Sequence, residues 1–99
     1  MERFFLIFLF LLSAYILKAQ STIISGRVLD SKSKKPLAFV NIIESSTNRG
    51  VSSDIDGRFK FKVSKIPTKL SLSYIGYEEK EVRINKNEAI VILLKQQAY

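Results

Sequence analysis

From residue 22 onward, apolar and polar side chains alternate with a period of two, the repeat of a half-buried β-strand and not of a helix. Ile24, Gly26 and Val28 share one face of a first strand, and the polar stretch at residues 31–35 turns the chain before Pro36. Proline cannot donate to a central ladder, so Pro36 marks the entry to a second strand. In that strand Val40 and Ile42 point one way, and Phe39 and Ile43 make the opposite face apolar too, which predicts partial burial on both sides. Residues 45–48 break the pattern, and a short strand through Gly50 leads to the turn formed by Asp54, Ile55, Asp56 and Gly57. Aspartate suits such a turn because its carboxylate accepts nearby backbone amides, and glycine tolerates a positive φ.

The next segment alternates without a fault. Phe59, Phe61 and Val63 lie on one side, and Arg58, Lys60 and Lys62 on the other. A slip of one residue would bury three cations, so the register of this strand is strongly specified. After Ile66 and Pro67, the residues Leu70, Leu72 and Tyr74 resume the alternation, and Gly76 permits a turn or bulge between Tyr74 and Tyr77. Val82 and Ile84 mark a charged strand, residues 85–88 a turn, and residues 89–94 a nearly continuous apolar strand. Seven strands without a helix in this part predict an all-β fold, a seven-stranded antiparallel sandwich. Gly26, Pro36, Asp54, Asp56, Gly57 and Gly76 are its expected structural turn positions.

The first residues follow a different rule. Arg3 supplies a positive start, residues 4–17 form an apolar run broken only by Ser13, and Ala19 offers a small residue before a cut. A helical run of that length spans about 21 Å, whereas a bilayer core needs about 30 Å. The expectation is a cleaved helical signal peptide at residues 1–19 and a single domain at 20–99, with its sandwich at about 22–95. An uncleaved anchor is the alternative, because Glu2 weakens the positive start and Leu17 is bulky near the cut.

Composition removes whole classes of chemistry. The chain of 99 residues has no cysteine and no histidine. Disulfides, thiolate metal sites and a Ser-His-Asp hydrolase are therefore excluded within it. A domain of this size buries only roughly 60% of its unfolded surface, so its stability rests on a small apolar core. The net charge is +7, and loss of the leader would lower it by one. Lys32, Lys34 and Lys35 share a turn, and Lys60, Lys62, Lys65 and Lys69 lie on or beside strands. Scattered lysines of this kind keep faces and sheet edges soluble, the alternative being attraction to an anionic surface such as an acidic polysaccharide. Nucleic acid is not an expected partner, since no dense basic helix or aromatic-basic stripe is present.

Two groups invite a sharper reading. Asp54 and Asp56 before Gly57 could begin a calcium loop, but the twelfth position from Asp54 is Lys65 and not a bidentate glutamate. They are weak metal candidates, and a structural turn is the favoured reading. The same carboxylates as the acid and base of a glycosidase are a remote case in so short a chain. Tyr74 continues the inward face of Leu70 and Leu72 and is read as core. Tyr77 is open between packing and exposure, and is the candidate contact for a sugar or protein partner.

The runs ISGRVLDSKSKKPLAFVNI, RGVSSDIDGRFKFKV and LSLSYIGYEEKEV, in this order and spacing, resemble the carboxypeptidase-like regulatory domain over about residues 22–95. The resemblance implies a transthyretin-like Greek-key sandwich, related to carbohydrate-binding-like folds and often found at the N-terminus of TonB-dependent outer-membrane receptors of Bacteroidetes. It implies a non-catalytic accessory or interaction module, exported to the periplasm or outer membrane or secreted, with no cofactor. A cell-envelope protein such as a receptor complex is the expected partner, and the membrane is reached only through the signal peptide or that partner. A carbohydrate-binding module is the alternative, and a small hydrolase the remote one. The sequence carries no strands for a transmembrane barrel after the sandwich, so the expectation is a free-standing module or the front piece of a receptor.

Overall fold

A computed structural model describes residues 2–4, 6, 7 and 22–98. Residues 2–4, 6 and 7 are helical, and the rest of the expected leader, with the cut after Ala19, lies outside the described residues. Among the described residues, no helix is long and apolar enough to cross a membrane. Seven strands follow: β1 (Thr22–Asp30), β2 (Asn41–Glu44), β3 (Gly50–Ser52), β4 (Arg58–Val63), β5 (Thr68–Ser73), β6 (Lys80–Ile84) and β7 (Ile90–Leu94). They form a three-stranded sheet in the order β4-β1-β7 and a four-stranded sheet in the order β3-β2-β5-β6. Four of the six connections change sheets, so most of the pairing is non-local.

The core lies between the sheets where the period-two pattern placed it. Ile24 and Val28 of β1, Ile42 of β2, Phe59, Phe61 and Val63 of β4, and Leu70 and Leu72 of β5 are buried. Ile84, Ile92 and Leu94 close it from β6 and β7. In β4 every second residue is buried and every cation exposed. Its register against β1 pairs Ile24 with Phe61 and Gly26 with Phe59.

Three local expectations change. The pairing is not wholly antiparallel, because β7 runs parallel to β1, with Gly26 opposite Ile90 and Asp30 opposite Leu94. The chain reaches β7 by crossing from the other sheet and not through a hairpin, which frees its direction. The second strand is not buried on both sides: Phe39 is 70% exposed and Ile43 is also exposed. Its residues also start later than Pro36, which makes an isolated bridge to Leu29 ahead of β2.

The reason is a turn at residues 38–39 that sends Leu37 and Val40 into the core and leaves Phe39 outside at a φ of 62°. Buried Ser53 holds this turn, accepting from the Val40 amide at 2.9 Å and donating to the Leu37 carbonyl at 2.7 Å. Gly26 is the third change. It sits inside β1 and not at a turn, and a Cβ there would lie 2.6 Å from the Phe59 ring and 2.9 Å from Ile90. A glycine inside a strand is explained here by the close approach of a neighbouring ring.

Candidate functional site

Two regions gather the residues that could carry function. The first is the turn before β4. The Asp54 carboxylate accepts the backbone amides of Asp56 and Arg58, both at 2.9 Å, and the Gly57 amide donates to the Asp54 carbonyl. Gly57 has a φ of 76°, and a Cβ there would lie 2.5 Å from the Val28 carbonyl oxygen, so the turn requires glycine. Asp56 offers its carbonyl to Arg27 Nε at 2.9 Å. Asp54 and Asp56 thus both take part in closing the β3 to β4 connection. Among the described residues, no group of three acidic side chains is placed to hold a cation.

The second region closes one end of the sandwich. Tyr77 Oη donates to Asp30 Oδ2 at 2.6 Å, and Gln96 Nε2 donates to Tyr77 Oη at 3.3 Å. Asp30 ends β1, Tyr77 follows β5, and Gln96 follows β7, so this cluster ties the two sheets together. Backbone bonds reinforce it: the Glu78 amide donates to the Lys95 carbonyl and the Gln97 amide to the Gly76 carbonyl. Gly76 has a φ of 83°, which lets the chain turn between Tyr74 and Tyr77. The rings of Tyr74 and Tyr77 lie 5.4 Å apart, tilted by 52°, and both pack against the core.

The electrostatics of this cluster follow from its bonds. Donation by Tyr77, with further donation from the Ser33 amide, holds the Asp30 carboxyl down at about 2. The same bond pushes the Tyr77 hydroxyl above its ordinary value, because losing its proton would place two anions in contact. Tyr77 is half-buried, with its hydroxyl donating to Asp30 and accepting from Gln96.

Two features escaped the sequence reading. Glu44 is fully buried, accepting from Thr47 Oγ1 at 2.7 Å and Thr68 Oγ1 at 2.8 Å. Its place two residues after Ile42 was the available signal, since β2 alternation puts both on the inner face. The other is a groove of 580 Å³ where β1, β4, the start of β7 and the turn after β3 meet. Gly26, Phe59, Ile90 and Val91 form the apolar part of its lining, and Val91 is 65% exposed. Arg27, Arg58 and Lys60 supply cations, with Asp54 the one acidic residue lining it. Four separate segments build it, so no single run of sequence marks it.

A two-layer β-sandwich whose polar clusters fasten turns and sheets is the class that this geometry defines. A family model for the CarboxypepD_reg-like domain matches residues 24–99, and the chain belongs to that family. It is 34% identical over 88 residues to TonB-dependent receptor P3 of Formosa agariphila, covering 89% of this chain and 9% of the relative. It is 42% identical over 62 residues to TonB-dependent receptor P39 of the same organism, covering 61% of this chain and 6% of the relative. The chain thus spans less than a tenth of the length of these receptors.

Proposed function

We propose that this chain is a non-catalytic interaction module of the bacterial cell envelope, exported and working beside a TonB-dependent outer-membrane receptor. The observation that carries this reading is the similarity of 89% of the chain to a small part of such a receptor. The geometry supports it, because the carboxylates of residues 54 and 30 are spent on backbone amides and on Tyr77. A hydrolase would need a carboxylate pair facing a cleft. A sugar platform would need several aromatic rings set open together, whereas Tyr74 and Tyr77 pack on each other and on the core, and Phe39 is the one strongly exposed ring among the described residues of the sandwich. Asp54, Asp56, Gly57 and Gly76 serve as turn residues in this reading, and Tyr77 as a fastener of the two sheets.

The test is affinity purification of the tagged full chain from gently solubilised envelopes of the bacterium that makes it. The expected result is recovery of a TonB-dependent receptor, enriched over an unrelated exported sandwich. Recovery of the chain free in the medium, with no receptor at any detergent strength, would overturn the reading.

A further inference from the structure

Strand β4 is an edge of its sheet, paired only with β1 among the described residues. Its register fixes which backbone groups face outward. The Val28 amide donates to the Gly57 carbonyl, so positions 57, 59, 61 and 63 turn their backbone groups toward β1. Positions 58, 60 and 62 turn theirs away. At Arg58 both outward groups are taken: its amide donates to Asp54 Oδ1 and its carbonyl accepts from the Asp54 amide. Among the described residues Lys60 and Lys62 have no such cap, so their amides and carbonyls present an open ladder.

Charge decides what this ladder can accept. The exposed side chains of β4 are Arg58, Lys60 and Lys62, and Arg27 of β1 lies directly opposite Arg58. A second copy adding along the same edge would set lysine against lysine, and like charges directly opposed are unfavourable. An acidic strand would instead gain a charge-assisted pair at each exposed position. Its alternate residues would fall on the face of Phe59, Phe61 and Val63, where apolar side chains extend the buried layer.

We infer that the free edge of β4 at Lys60 and Lys62 docks an extended segment of a partner protein by antiparallel strand addition, the segment alternating carboxylate and apolar residues. The inference rests on the reading of the chain as an interaction module and names the surface and the chemistry of its partner. Strand addition draws affinity from backbone bonds and specificity from alternate side chains, and β4 offers both. In antiparallel pairing, a glutamate opposite Lys60 or Lys62 points its own amide at β4, whereas the intervening apolar residues point theirs away.

That geometry gives a test by fluorescence anisotropy, using the full chain and a fluorescein-labelled peptide of alternating glutamate and valine. The peptide is expected to bind, to lose binding when N-methylated at its glutamates, and to keep it when N-methylated at its valines. Lys60→Glu with Lys62→Glu is expected to weaken binding at least about tenfold. Lys62→Pro, which deletes one outward amide, is expected to weaken it more than Lys62→Gln, which deletes only the charge. Circular dichroism checks that each variant remains folded, and the methylated peptides test the edge without altering the protein. Failure of the unmodified peptide to bind, or equal binding of both methylated forms, overturns the inference. Binding of the anionic polysaccharide alginate that competes fully with the peptide and ignores Lys62→Pro also overturns it, in favour of a polyanion surface. A receptor recovered from the envelope despite such a failure would leave the proposed function standing and remove only this edge.

Discussion

Asp30 and Tyr77 stand 47 positions apart, and their side chains meet at 2.6 Å. The bond has a pH signature whose direction follows from its two ends. The Asp30 carboxyl is held at about 2 in the folded chain against an ordinary 3.8, so its contribution is present above the ordinary value and is lost as pH falls through the lower one. The Tyr77 hydroxyl is raised, so its contribution is present below its ordinary value of 10.0 and is lost as pH rises through the folded one. Tyr77→Phe is therefore expected to lower Tm by several degrees at pH 7. The gap should narrow between about pH 4 and pH 2, where the Asp30 carboxylate is lost from the wild type. Thermal melts across that range check it, and a gap constant down to pH 2 would contradict the assignment. Sequence alone leaves Tyr77 open between packing and exposure, because its partner Asp30 ends a distant strand and only the fold brings them together. The same is true of Ser53, whose two bonds to Leu37 and Val40 turn Phe39 outward against its apolar character.

Elements were legible in proportion to how far local alternation decided them. β4 was readable because its cations and aromatics alternate without exception, and the turn before it because aspartate and glycine have local reasons to be there. The parallel pairing of β7 with β1 was not readable, since it depends on a crossover between sheets and leaves no mark in either strand. The same cations that made β4 legible also guard its free edge. Lys60→Val with Lys62→Val keeps β propensity while removing the repulsion, so this variant is expected to self-associate in a concentration-dependent way. Sedimentation velocity at rising concentration measures it. A double variant as monomeric as the wild type would show that charge is not what keeps this edge unpaired.

At the scale of the whole molecule, polar side chains fasten the sandwich. Asp54 caps the turn into β4, Asp30 and Tyr77 join the sheets, and Glu44 binds two threonines beneath β2. Among the described residues, the cation-lined groove and the adjoining edge of β4 are the surface on which the proposed docking rests. In the proposed function such a module holds a partner, and the family and the receptors it resembles are what support that reading. The most direct measurement is photo-crosslinking in living cells, with the crosslinking residue placed at position 62 on β4 and, separately, at position 81 on β6. The account predicts a discrete adduct with an outer-membrane receptor, identified by mass spectrometry, from position 62 and a much weaker one from Glu81. Equal adducts from both positions, or adducts with glycolipid alone, would contradict it.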